Sequence, residues 1–300
     1  MTILDPAIPV RSLEARYYTD PAIFAQERDG LLARTWQFAG HESQARGPGD
    51  YFSFELADES LFCIRGRDGI LRTFYNVCQH RAHQLVSGSG TTRLVVCPYH
   101  AWTYETTGQL RTGPNIKSVP GFDSSRICLT SVRTESFHGF IFVNLDADAA
   151  PMDEWYPGVH AELGEYVPGI AALEPLEWVE IPERCNWKVS IENYSECYHC
   201  SLNHPTFSTG VIKPKTYNVQ PSERGYVLRH TTECQSLDAM TYDIDLSKPH
   251  ADKYRSFFLW PMFSFQVYPG NILNTYHWRA HDVDQCSVAA GSRPAVRTAR

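Results

Sequence analysis

Between Asn186 and Phe207 the chain crowds together residues able to bind a metal: Glu192, Glu196, Cys197, His199, Cys200 and His204. Trp187, Ile191, Tyr194 and Tyr198 recur at three- and four-residue steps, which predicts an amphipathic helix. On that helix Glu192, Glu196 and His199 fall at i, i+4 and i+7 and share one face. His204, five positions after His199, is rotated by roughly 140° on an ideal helix. Pro205 disfavours the α conformation at His204, so the helix should end near Leu202 or Asn203 and let His204 fold back toward His199. Two imidazoles beside a carboxylate suit a divalent iron. Taken alone, such a histidine pair is more often two satisfied side chains at a helix end. A structural zinc held by Cys197, His199, Cys200 and His204 is a third reading, though adjacent His199 and Cys200 would crowd one tetrahedral ion.

A second constellation lies upstream. Cys78-Gln79-His80 and Cys97-Pro98-Tyr99-His100 each place a thiol and an imidazole in one short loop. Zinc fingers group the cysteines in one half and the histidines in the other. One of each per loop instead matches a [2Fe–2S] cluster with two thiolates on one iron and two imidazoles on the other, an arrangement that raises the reduction potential.

The two constellations in this order, the second written Asn193-Tyr194-x-Glu196-x-Tyr198-His199-x4-His204, resemble the oxygenase (α) subunit of the Rieske non-haem iron oxygenases, from Trp36 to about Arg279. The run Glu196 to Cys200 and the segment Gly210 to Tyr217 look most like the quaternary-ammonium branch. The resemblance implies a [2Fe–2S] cluster on Cys78, His80, Cys97 and His100, and a mononuclear Fe(II) on His199 and His204. It implies a third, acidic iron ligand far downstream. The last acids here are Asp282 and Asp284, and the segment from Ser287 on carries neither a carboxylate nor a helical stripe. The chain is therefore expected to be incomplete at its C-terminus, with no acid in reach of the two histidines and a structureless tail.

Further expectations follow from the resemblance. Glu196 should bridge the iron histidine of one subunit to a cluster histidine of its neighbour in a homotrimer. A flavin/iron–sulfur reductase should supply electrons from NAD(P)H. A quaternary ammonium substrate such as carnitine, or another betaine, should be hydroxylated beside its nitrogen and lose trimethylamine. A cation without hydrogen-bond donors is held against aromatic faces, and Tyr194 is the foremost candidate. Tyr198, Phe257, Phe258, Trp260, Phe263, Phe265, Tyr268, Tyr276 and Trp278 are others, and Gln266, Asn274 or His277 could orient a carboxylate. A Rieske electron carrier without oxygen chemistry is the competing function, but leaves the second half of the chain unused.

The elements that would position these residues are legible in outline. Asp20-Pro21 starts a helix running to about Arg34, with Asp20 as its cap. Short aromatic and β-branched strands follow at 51–56, 60–65, 70–77 and 137–144, with Gly88-Ser89-Gly90 as a turn before the second cluster loop. A helix is expected over 153–166, a strand over 176–182, and strands over 226–231, 257–268 and 272–279. This predicts an α+β protein: an arm and helix (1–35), a small antiparallel β Rieske domain (36–148), and a catalytic domain (149–300) that the resemblance identifies as a helix-grip fold. A net charge of −7 offers no basic face for nucleic acid. No run approaches the roughly 20 apolar residues of a membrane span. Nine cysteines without paired spacing beyond Cys197-x2-Cys200, and an N-terminus lacking a leader pattern, are expected of a reduced, cytoplasmic protein.

Overall fold

The computed structural model describes residues 12–293 other than 174 and 176. The chain divides into two compact units, residues 28–149 and residues 150–300 together with the segment up to Glu27. The expected helix from Pro21 onward begins as foreseen, with the Asp20 carboxylate accepting from the Ala22 N–H at 2.8 Å. After α1 (Arg16–Thr19), the regular helix α2 spans only Pro21–Gln26, and wider and tighter turns continue to Arg34.

In the unit of residues 28–149, β1 (Gln37–His41), β2 (Asp50–Leu56), β3 (Glu59–Arg65), β4 (Leu71–Tyr75), β5 (Ser89–Thr91), β9 (Ser131–Phe137) and β10 (Phe140–Asn144) form one sheet. Its order is β1-β10-β9-β4-β3-β2-β5, and three short strands, β6 (Val95–Val96), β7 (Thr103–Tyr104) and β8 (Leu110–Thr112), form a second. Two expectations are corrected. Ser89 and Gly90 are not a turn but pair with β2. Phe137 to Asn144 is not one strand: His138 and Gly139, both at positive φ, turn the chain between β9 and β10.

In the other unit a seven-stranded antiparallel sheet grips one helix. Its strands are β11 (Glu177–Glu183), β12 (Asn218–Pro221), β13 (Val227–Glu233), β14 (Lys253–Leu259), β15 (Phe263–Tyr268), β16 (Ile272–Asp282) and β17 (Gln285–Arg293). The order is β11-β17-β16-β15-β14-β13-β12. One face packs on α3 (Met152–Trp155) and α4 (Val159–Tyr166), where the Tyr166 and Phe257 rings meet edge to face at 6.3 Å. Those are two helices where one was expected, because Pro157 and the positive-φ Gly158 interrupt the run. The expected strand over 257–268 is likewise two, since Trp260 and Pro261 make the turn between β14 and β15.

The largest correction concerns the tail. Residues 285–293 are not structureless but form β17, an inner strand hydrogen-bonded to both β11 and β16; residues 294–300 lie outside the described residues. Its small side chains have a packing reason. A Cβ on Gly291 would stand 2.9 Å from two Trp178 ring carbons and 3.0 Å from Thr275 Oγ1. Gly291→Ala is therefore expected to lower stability by about 1–3 kcal/mol through overpacking, read as a lower urea midpoint with an unchanged slope.

Candidate metal centres

The two loops at 78–83 and 97–102 are built alike. The Cys78 N–H donates to the His83 carbonyl at 2.9 Å and the Cys97 N–H to the Trp102 carbonyl at 2.8 Å. The Cys78 and Cys97 carbonyls each accept from an alanine N–H four residues on, at 3.0 Å. Those alanines, Ala82 and Ala101, both adopt positive φ. Asn76 fastens the first loop, donating to the Val86 carbonyl while its Oδ1 accepts from the Leu85 and Val86 N–H groups. Both thiols are 2% exposed, whereas His80 is exposed and His100 half-buried.

The imidazoles of His80 and His100 lie 4.6 Å apart, and Trp102 stacks on His80 at 4.8 Å. Burial pushes the Cys78 thiol up, against a hydrogen bond from Tyr104, and the Cys97 sulfur is close enough to add to the rise. Tyr104 is a residue that spacing did not reveal. Its hydroxyl stands 3.2 Å from Cys78 Sγ and accepts from the Gln79 N–H. Burial and the neighbouring His80, Arg81 and His83 hold His100 below the usual histidine range, which leaves a lone pair free for a metal. Two buried sulfurs and two neighbouring imidazoles are the donor set a Rieske cluster requires.

The second constellation differs from its expected form. Helix α5 (Trp187–Tyr194) ends eight residues before Leu202, and a separate turn, α6 (Cys200–Asn203), follows. Glu196 therefore lies in the link, not on a shared face with Glu192 and His199. The link is held locally: the Glu196 carboxylate accepts from the Tyr198 N–H, and Cys197 is joined to Cys200 as a disulfide. Glu192 turns elsewhere and accepts from the Tyr18 hydroxyl at 2.7 Å. With both sulfurs in the disulfide, a zinc site on Cys197, His199, Cys200 and His204 has no thiolates to use.

The structure brings His199 and His204 together, with ring centroids 5.1 Å apart. The chain leaves helical geometry at His204, before Pro205. Glu196 Oε1 stands 2.5 Å from His199 Nδ1. Burial would raise this carboxyl, but the hydrogen bonds from His199 and the Tyr198 N–H hold it below its ordinary range. The ionised Glu196 thus accepts from Nδ1–H of His199, which leaves Nε2 as the ring atom for a metal. Among the described residues, no third His, Cys, Asp or Glu completes a set with His199 and His204 whose ligand atoms all lie within 4.8 Å of one another. Asp282 and Asp284 sit at the β16–β17 turn, and neither lines the pocket beside the histidines.

That pocket measures about 510 Å³ and lies between α5, α6 and one face of the sheet. Strand register selects the face. His230 pairs with Ser256, Ser256 with Gln266, and Phe258 with Ser264, which pairs with Tyr276. Tyr194, Tyr217, Tyr254, Tyr268, Tyr276 and Trp278 wall the pocket, with His230 and Gln266 between them. Tyr194 also anchors α5, its hydroxyl bonding to Ser256 at 2.5 Å and to Ser264. Ser190 accepts from the Trp278 indole N–H at 2.9 Å. Tyr217, Tyr254 and His230 escaped the sequence reading. Phe257, Phe263, Phe265 and His277 point to the opposite face, and Tyr198 is 97% exposed, so none of these walls the pocket.

Burial pushes His230 down to about 4. Its Nδ1 is 2.6 Å from the Tyr217 hydroxyl. With its folded value below that of an unfolded histidine, near 6.5, the unfolded chain binds more protons between those limits. Stability present at pH 7 should therefore fall as the pH drops from about 6.5 toward 4, by on the order of 3 kcal/mol from this residue. His230→Gln should flatten that slope in urea titrations across this range.

The comparisons follow the same division. Residues 35–123 match the Rieske [2Fe-2S] domain family, and residues 170–292 the ring hydroxylating alpha subunit catalytic domain. The chain belongs to the Rieske non-haem iron oxygenase α subunits, oxidoreductases that use O2. It is 33% identical over 271 residues to the carnitine monooxygenase oxygenase subunit of Escherichia coli (strain K12), covering 86% of this chain and 68% of that one. The glycine betaine monooxygenase oxygenase subunit of Chromohalobacter salexigens is 32% identical over 204 residues, 67% of this chain and 45% of that protein. Among solved structures, the quaternary ammonium Rieske monooxygenase CntA superposes with a TM-score of 0.83 at 28% identity, covering 96% of this chain and 77% of that one. CntA has also been solved with L-carnitine.

Proposed function

We propose that the protein is the terminal oxygenase of a monooxygenase system acting on a small quaternary ammonium substrate, carnitine foremost, with release of trimethylamine. The observation that carries this reading is the pocket beside His199 and His204. It is walled by five tyrosines and a tryptophan, and among the described residues no Lys or Arg lines it. His230 stays neutral there. Such a cavity favours a methylated cation that cannot donate hydrogen bonds.

In this reading Cys78, His80, Cys97 and His100 hold the [2Fe–2S] cluster and His199 and His204 hold Fe(II). When bound, these groups supply one-electron transfer and dioxygen activation. The chain's own residues do the rest. Glu196 keeps His199 in one tautomer and orientation. The aromatic wall places the cation so that the carbon beside nitrogen faces the two imidazoles. Gln266, with its oxygen bonded to the Tyr268 hydroxyl at 3.0 Å, keeps an amide N–H₂ for a substrate oxygen. In the net reaction substrate, O2, two electrons and two protons give a carbinolamine and water. This hydroxylated ammonium then collapses, its C–N bond breaking as the hydroxyl proton is lost, to an aldehyde, trimethylamine and a proton.

The electrons come from a flavin/iron–sulfur reductase that draws on NAD(P)H. A homotrimer suits the surface: Glu196, Tyr198 and Leu202 are exposed beside one site, and His80 is exposed at the other. The solved relative described through inter-subunit electron transfer supports this arrangement. No described helix is long and apolar enough to cross a membrane, and we place the protein in the cytoplasm.

The test measures iron, labile sulfide and trimethylamine with a reductase present, with and without added Fe(II). Turnover is expected to depend on Fe(II) beyond the two iron atoms of the cluster. Oxidation of glycine betaine or γ-butyrobetaine but not carnitine would move the substrate assignment. A reduced cluster and bound Fe(II) without oxidation of any betaine would overturn the reading.

A further inference from the structure

Glu183, Cys185 and Cys286 form a cluster that the oxygenase reading leaves unused. Antiparallel pairing of β11 with β17 sets Glu183 opposite Cys286. β11 ends at Glu183, and the bend that follows brings Cys185 back to the same place. The carboxylate and both sulfurs lie within 4.8 Å of one another. Cys286 is 1% exposed, and Glu183 and Cys185 are half-buried. Among the described residues no Lys, Arg or His is ion-paired with Glu183; its recorded side-chain partner is Cys286. Three acidic groups thus share one partly buried place without a cation.

Their spacing matches a definite ligand geometry. Two thiolates bound to zinc at about 2.3 Å across a tetrahedral angle stand about 3.8 Å apart, and a thiolate and a carboxylate oxygen about 3.6 Å apart. The two sulfurs here are 3.8 Å apart, and Cys286 Sγ is 3.5 Å from Glu183 Oε2. We propose that Glu183, Cys185 and Cys286 bind a zinc-type divalent cation, the fourth position being left to water. Three protein ligands, two of them sulfur, favour zinc over the harder magnesium and calcium. Because Glu183 also lines the pocket, the open position has room for water. The ion ties β11 and β17 to the start of α5, where Asn186 caps the helix and donates to the Val283 carbonyl at 2.8 Å.

The experiment is zinc K-edge absorption on the iron-loaded protein with one equivalent of zinc, under a thiol reductant. A sulfur shell near 2.3 Å is expected. It should persist in Cys197→Ser/Cys200→Ser and disappear in Cys185→Ser/Cys286→Ser. Cys185→Ser alone, at a half-exposed position, covers the case in which the double variant fails to fold, and should weaken zinc binding at least tenfold. In the unaltered chain zinc should also slow alkylation of Cys185 and raise the Tm. A shell without sulfur, a sulfur shell unchanged by the Cys185 substitutions, or equal alkylation with and without zinc would each overturn the proposal.

Discussion

Glu196→Ala is expected to cut trimethylamine release by about 10–100-fold while the cluster's visible absorbance stays intact, since carboxylates that orient ligating histidines carry effects of that size. The loss arises because Glu196 holds the His199 Nδ1–H at 2.5 Å and nothing else described does so. Glu196→Gln separates two roles. An amide oxygen still accepts from His199, so a residue that only orients this ring should recover most activity as glutamine. A carboxylate that also accepts from a cluster imidazole of a neighbouring copy needs both oxygens, and an amide offers one. The glutamine variant should then remain close to alanine, with normal reduction of the cluster but slow reoxidation in the presence of substrate and O2. Fast reoxidation in that variant, with turnover near that of the parent, would remove Glu196 from the electron path.

The second large effect concerns stability. Lys188, 8% exposed, reaches both oxygens of Glu27 at 2.7 and 2.8 Å, and the Trp187 indole N–H also donates to Glu27. Lys188→Met removes the cation and leaves a largely buried carboxylate with the indole alone. Breaking a buried pair from one side costs about 3–5 kcal/mol, and urea unfolding should show a loss of that order. Glu27→Gln/Lys188→Met should recover much of it, because no charge is then stranded. Because this pair joins the N-terminal segment to α5, the single variant should also be cut faster by proteases around residues 12–26. A change below about 0.5 kcal/mol would mean that the pair behaves as a solvated surface bridge.

The candidate cluster residues Cys78, His80, Cys97 and His100 could be singled out because their chemistry is local: a thiol and an imidazole inside one short loop need no tertiary information to be noticed. Pro205 marked the departure from helical geometry at His204, although the long helix expected before it stops at Tyr194. What stayed hidden depended on partners distant in sequence or on competing local bonds. Nothing in the periodicity of residues 187–202 revealed that Glu196 would bond the Tyr198 N–H and His199, or that Cys197 and Cys200 would join, and both accompany the break after Tyr194. The aromatic strands were visible as strands, but which rings face the pocket depends on register. Residues of one parity, among them Tyr254, Ser256, Gln266 and Tyr276, turn to the cavity, whereas Phe257 and Phe265 turn to the helices behind. The small residues of β17 resembled a disordered tail because the Trp178 ring that requires Gly291 lies far upstream.

The place of β17 in the sheet also bears on how the protein is made. Glu183 and Cys286 are partners in one ladder yet lie 103 residues apart in the chain. Pairing over such separations must overcome loop-closure entropy before it yields contacts, so it forms slowly. On the ribosome, β11 emerges long before the strand that completes its hydrogen bonds, at synthesis rates of about 5–20 residues per second. Throughout that interval β11 has no described strand to pair with, although β14 to β16, which Tyr194 and Ser190 of α5 grip, emerge before β17. The unit of residues 28–149, whose strands are all complete by Asn144, can finish folding first. The loops bearing Cys78, His80, Cys97 and His100 can therefore be in place before the pocket beside His199 and His204 closes, and the slow step in folding should be the threading of β17 between β11 and β16.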